Sequence, residues 1–193
     1  MKPTGDEQAR RLGRLIVVSG PSGVGKGSVI AAAIAQRPET WTSISTTTRQ
    51  PRPAEQEGRE YFFVTKADFE REVASGGFLE WAEYADNLYG TAREPVDQNL
   101  ASGRNVILEI ELAGARQVRA AFPTAVLVLI RPPSMADLRE RLIGRGTEPS
   151  EVVERRLATA RHELAAESEF DYVLVNEDIG ATASELVDLL DGQ

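Results

Sequence analysis

Apolar and polar residues along this chain fall into blocks of two kinds. Nearly all-apolar runs stand at 15–18 (LIVV), 105–110 (NVILEI), 125–130 (AVLVLI) and 172–176 (YVLVN). Each has strand length and branched side chains, the pattern of a strand buried on both faces. Helical segments lie between them. One covers 29–35 (VIAAAIA), one opens at Pro95 and closes at Gly103, and one runs through Val118 to the stop at Pro123. Ser134 starts another that breaks at GRG (144–146), Pro149-Ser150 opens a long one to about Glu167, and the last spans 182–190. Strands alternating with helices predict an α/β fold, a parallel sheet flanked by helices. Residues 45–92 interrupt this rhythm and read as an insert. Strands are predicted at 41–45, 61–64 and 78–84, with a turn around Asn87. Thr65 and Asp68 start a helix there, and Gly76-Gly77 stops it.

Composition narrows the class. The 193 residues suit one core with small inserts. The net charge of −8 argues against broad nucleic-acid or anionic-membrane binding, which needs a basic face. No apolar run nears the roughly 20 residues of a membrane span. The segment MKPTGDEQARRLGR lacks the apolar core of a signal peptide, so 1–13 reads as a flexible lead. With no cysteine there are no disulfides or thiolate metal sites, which fits a reducing cytoplasm.

The chemistry concentrates at GPSGVGKGS, residues 20–28, between the first strand and the first helix. Gly20, Gly23 and Gly25 free the backbone to turn its N–H groups inward. The helix N-terminus adds about half a positive charge, and Lys26 a full one. A nucleotide β,γ-phosphate fits such a cradle, formed by Gly20 and 22–28 (Ser22, Gly23, Val24, Gly25, Lys26, Gly27, Ser28). The pattern departs from G-x-x-x-x-G-K-[ST] by one place, because Gly27 follows the lysine and the hydroxyl arrives at Ser28. Arg49 and Arg52 sit three apart among prolines, with Glu55 three further on, a spacing that suits a guanidinium clamp on a phosphate. In EIE, alternation puts Glu109 and Glu111 on one face at a strand's C-terminal end, where open α/β sheets bind ligands.

GPSGVGKGS, STTTRQPRPAEQEGREYFF, FLEWAEYADNLYGT, LRERLIGRGTE and FDYVLVNED follow one another at spacings that resemble guanylate kinases, over roughly 14–190. The resemblance implies a phosphate-loop kinase core (14–44 and 93–190), an inserted monophosphate-binding region (45–92) and a mobile helical lid at about 134–158. It implies transfer from MgATP to GMP, or dGMP. Lys26, Arg49, Arg141, Arg145 and Arg156 are then the catalytic residues, with the lid arginines closing over the phosphates. Arg49, Arg52 and Tyr61 grip the GMP phosphate, Glu55 orients the arginines, and Tyr89 meets the phosphate or ribose. Glu80 reads the guanine N1–H and amino group, Ser45 and Thr91 meet O6, Glu111 helps with the amino group, and Glu109 lies near magnesium through water. The family usually carries aspartates where Glu109 and Glu111 stand. Arg139 and Asn176 belong to the adenine side, although Asp178 nearby also suits a helix cap. Mg²⁺ is carried with ATP, with Ser28 as its protein ligand. His162 reads as a solvated helix residue.

Two rivals share part of this pattern. An adenylate kinase or ribose-bisphosphate kinase has the same core, but the set Arg49, Arg52, Tyr61, Glu80 and Tyr89 speaks against it. A guanylate-kinase-like scaffold module binds phosphopeptides and loses phosphate-loop or lid residues, which this chain keeps. Monomer and homodimer both remain open.

Overall fold

The computed structural model describes residues 12–144 and 149–192. Its central sheet is parallel, in the order β2 (Trp41–Thr42), β7 (Val106–Glu109), β1 (Leu15–Ser19), β8 (Val126–Arg131), β9 (Tyr172–Val175). The alternation in β1 explains the layers. Ile16 and Val18 face α1 (Lys26–Gln36) and α7 (Ile179–Asp191), packing with Val29, Ile30, Leu186 and Leu190. Leu15 and Val17 face α3 (Arg93–Ala101) and α4 (Leu112–Ala121), packing with Val96, Leu100, Ala115 and Val118. Both faces of β1, β7 and β8 are dry, so these strands carry no polar alternation, whereas β9, predicted as buried, is an edge strand that exposes Tyr172 and Val175. This is the α/β architecture that the pattern predicts.

A second sheet has the order β4 (Phe62–Phe63), β3 (Thr46–Thr47), β6 (Asn87–Ala92), β5 (Phe78–Tyr84). Phe69 of α2 (Lys66–Ala74) packs beneath it with Phe78 and Leu88. Leu79 of β5 instead belongs to the core cluster under α3 and α4, which joins the two parts. The strand predicted at 41–45 divides. Ser43 N–H still bonds Ile107 of the central sheet, while the Ser45 carbonyl already accepts from Phe62 of the second. The chain crosses between sheets over three residues.

β6 escapes prediction, and the turn lies at Ala85–Asp86 rather than around Asn87. Both turn residues have positive φ, +48° and +62°. This is the two-residue hairpin that normally announces itself with glycine. NLYGTA also carries Asn and Gly, which are depleted in strands. Elsewhere the starts agree with the predicted caps. The Thr65 side chain accepts from Asp68 N–H, Ser134 from Asp137 N–H at the head of α5 (Met135–Gly144), and Asp178 from Ala181 N–H at the head of α7. α6 (Ser150–Ala165) packs on α5 through Leu138, Leu142, Val153 and Leu157, a small apolar cluster of its own. Among the described residues no helix is long and apolar enough to cross a membrane.

Candidate active site

The loop after β1 curls around an open cavity of about 420 Å³. Pro21, Ser22, Gly23, Gly25, Lys26, Gly27, Ser28 and Glu109 line it. Glycine is required here for definite reasons. Gly20 has φ +143°, and a Cβ on it would lie 2.1 Å from the Ile130 carbonyl oxygen. Gly25 is the N-cap of α1 at φ +100°, and a Cβ there would lie 2.7 Å from Asn176 Nδ2. Gly25→Ala therefore combines backbone strain with displacement of a buried amide. The expected loss is about 1–3 kcal/mol, measured by denaturant unfolding.

The loop is braced from behind. Asn176, only 3 % exposed, donates from Nδ2 to the Val24 carbonyl at 2.8 Å. Val24 itself is buried in the core, and neither it nor Gly20 lines the cavity. The adenine-side expectation for Asn176 thus meets a side chain already engaged with the loop. Lys26 heads α1, and its ammonium folds back to donate to the Gly20 carbonyl.

The α5–α6 pair rests on this loop. Arg141 donates to the Val24 carbonyl at 3.1 Å and to the Asn176 carbonyl at 2.9 Å. Arg156 Nη2 donates to Ser22 Oγ at 2.6 Å. Gly23 is bare where Leu142 comes close, since a Cβ would lie 2.6 Å from Leu142 Cδ2. Arg139 is half-exposed and ion-paired with Glu154, the pairing to be expected of a solvated helix face. Arg145 lies outside the described residues. His162 is exposed, as predicted.

A second cavity, about 380 Å³, opens between the two sheets. On its second-sheet side stand Ser45, Arg49, Arg52, Glu55, Tyr61, Glu80 and Tyr89. Glu109, Glu111, Ala113 and Gly114 come from the core. Glu55 organises the arginines. It accepts from Arg49 Nη2 at 2.8 Å and from the Arg52 backbone N–H at 2.8 Å. The Arg49 bond is the main reason the Glu55 carboxyl sits below its ordinary range. Arg49 also lies over the Tyr61 ring, 5.4 Å from its centroid, and Tyr61 meets Tyr89 edge-on. The guanidinium is thus held in place by a carboxylate and an aromatic face.

Glu80 is 6 % exposed, and burial pushes its carboxyl above the ordinary range. Thr91 Oγ1 donates to Glu80 Oε1 at 2.6 Å. Thr91 is not among the lining residues, so its hydroxyl orients Glu80 instead of facing the cavity. A register shift between Phe78 and Glu80 sets Glu80 directly opposite Thr91. Glu80, Ala82 and Tyr84 then alternate along one lining face of β5.

Two residues near the cavities carry no motif that sequence reasoning used: Gly114, which lines the second, and Glu163, which lines neither. Gly114 leaves room for the Glu80 carboxylate, since a Cβ would lie 2.7 Å from its Oε2. Glu163, seven residues beyond Arg156 on α6, is half-buried. Burial raises its carboxyl, nearby Lys26 draws it down, and Glu111 raises it. The interval of two helical turns from Arg156 was the available signal. Glu109 borders both cavities, so they meet at the C-terminal end of β7.

The family model "Guanylate kinase" matches residues 12–193. A guanylate kinase of Thermobifida fusca is 55 % identical over 186 residues, covering 96 % of this chain and 93 % of the relative. One from Synechococcus sp. (strain CC9902) is 55 % identical over 174 residues, covering 90 % and 93 %. The crystal structure of guanylate kinase from Anaplasma phagocytophilum superposes with a TM-score of 0.74 at 32 % identity, covering 94 % of this chain and 86 % of that one. A shikimate kinase from Bacteroides thetaiotaomicron, 17 % identical with a TM-score of 0.52, shares the fold alone, over 92 % of this chain and 98 % of that one. With a family match over nearly the whole chain, this protein belongs to the guanylate kinase family.

Proposed function

We propose that the chain transfers the γ-phosphoryl group of ATP to GMP and dGMP, giving ADP and GDP or dGDP, with the residues of the two joined cavities in the following roles. The observation that carries this reading is Glu109 bordering both cavities, so that a donor phosphate in one lies beside an acceptor phosphate in the other. Phosphoryl transfer needs alignment and charge neutralisation more than covalent help from the protein. The loop 20–28 cradles the donor phosphates with backbone N–H groups. Lys26 leaves the Gly20 carbonyl and follows the transferring group. Arg141 and Arg156, already anchored on the loop, neutralise charge from the lid side. Arg139 borders the nucleoside side of ATP, while Asn176 braces the loop from behind through the Val24 carbonyl.

On the acceptor side Arg49 and Arg52 grip the GMP phosphate, with Tyr61 and Tyr89 beside them and Glu55 holding the arginines. Glu80 supplies two acceptors to guanine N1–H and the adjacent amino group, which adenine cannot match at N1. Ser45 donates to O6, and Glu111 supports the amino group. Two unpaired polar groups facing the wrong base account for discrimination of about 10⁴.

The loop also suits the magnesium that the family typically uses with ATP. Ser28 is exposed at the cavity. Gly27 leaves the space before Glu109 open, where a Cβ would lie 3.6 Å from Glu109 Oε2. Ser28 would hold the ion directly and Glu109 through water. The ion would arrive with the nucleotide, as is typical of the family. Bound with the nucleotide, it would supply positive charge to neutralise the phosphates. The cytoplasm is the proposed place of action, which a cysteine-free composition fits.

The test is coupled ADP production with MgATP and each of GMP, dGMP, AMP, CMP and UMP. Turnover confined to GMP and dGMP is expected. Turnover with AMP would keep the phosphate cradle and remove the guanine assignment. Binding of GMP without turnover would favour a scaffold module.

A further inference from the structure

β5 is the outer strand of its sheet, so one row of its backbone groups lacks a strand partner. The core helix α4 runs beside this row and meets it with a side chain. Gln117 Oε1 accepts from the Trp81 N–H at 3.1 Å, and Gln117 Nε2 donates to the Trp81 carbonyl at 2.9 Å. One amide thus supplies the acceptor and the donor that an antiparallel neighbour would supply. Only one orientation of the amide satisfies both groups.

Trp81 directly follows Glu80. One helical turn before Gln117 stands Gly114, whose missing side chain leaves space for the Glu80 carboxylate. α4 therefore touches β5 at adjacent points, a two-bond clamp at Trp81 and bare backbone at Glu80. The clamp sets the height and rotation of the strand on the core, and the glycine sets how deeply the carboxylate seats. Gln117 lines neither cavity, so it reaches the substrate only through the strand.

We infer that Gln117 is a positioning residue for base selection, registering β5 on the core so that Glu80 meets the guanine edge squarely. This rests on reading Glu80 as the base-reading carboxylate. The experiment compares kcat/KM for GMP and for IMP, which keeps N1–H and O6 but lacks the amino group. A carboxylate square to the edge gains from both donors, and a displaced one loses most of the second. The proteins are wild type, Gln117→Met, Gln117→Glu and Glu80→Ala. Gln117→Met keeps the stem and loses both bonds, while Gln117→Glu keeps the acceptor alone. The GMP-to-IMP ratio is expected to fall about tenfold in Gln117→Met and by less in Gln117→Glu. KM for GMP should rise while KM for ATP stays unchanged. A lowered Tm with the ratio intact in both Gln117 variants, while Glu80→Ala collapses it, would overturn the positioning role alone. An intact ratio in Glu80→Ala would overturn the base-reading role and this inference together.

Discussion

Lys26→Ala is expected to lower kcat by about 10²-fold or more, the scale for removing one preorganised charge contact from a transition state. Lys26 is the first residue of α1, and its ammonium is held by the Gly20 carbonyl beside the cavity that Lys26 lines. The substitution leaves the glycine cradle and the helix N-terminus in place. Part of ATP binding therefore survives, and kcat should fall further than KM for ATP rises. Stability should change little, because the side chain belongs to no apolar cluster and alanine favours the helix. Steady-state kinetics with a thermal melt on the same preparation checks both halves. An unchanged kcat would remove the phosphate-loop assignment.

Glu80→Gln should move activity and stability in opposite directions. Its kcat/KM for GMP is expected to fall by about 10²-fold or more, because one acceptor facing two guanine donors becomes a donor. ATP binding should be nearly unaffected, and equal loss on both sides would count against a base-reading role. The free protein should become more stable. Glu80 is buried, and its carboxyl is raised by burial first, with the Glu111 charge adding to it. A raised folded-state value means that this group's contribution is fully present below the ordinary carboxylate range and is lost as pH rises through the folded value. Above the ordinary carboxylate range the buried carboxyl costs stability that glutamine does not, while glutamine Oε1 still accepts from Thr91. The Tm gain should be largest at neutral pH and shrink as pH falls towards the ordinary carboxylate range. Thermal melts of both proteins across that range give the sign.

Particular residues show where the sequence was legible. The apolar runs of β1, β7 and β8 are local patterns, and burial on both faces leaves them no other reading. Thr65, Ser134 and Asp178 cap helices through bonds spanning three residues, so their role is written in adjacent positions. β6 was not legible, because its turn at Ala85–Asp86 adopts positive φ without glycine. The division of 41–45 between two sheets was hidden for another reason. Both halves are extended, and only distant partners, Ile107 and Phe62, tell them apart.

The site divides in the same way. The cradle around Lys26 and the Arg49–Glu55 brace are short-range features, readable because glycine spacing and a six-residue ion pair leave marks in the chain itself. Whether Thr91 faces a base or Glu80 depends on a register shift in β5. That Asn176 braces the loop depends on β9 ending beside it, a contact across 152 residues. Sequence alone determined the fold class, the phosphate cradle and the kinds of side chain available for chemistry, because these follow from local pattern and residue type. Tertiary structure decided which hydroxyl meets which carboxylate and which amide is already engaged, because hydrogen bonds are short and directional and their partners are chosen only when distant segments meet.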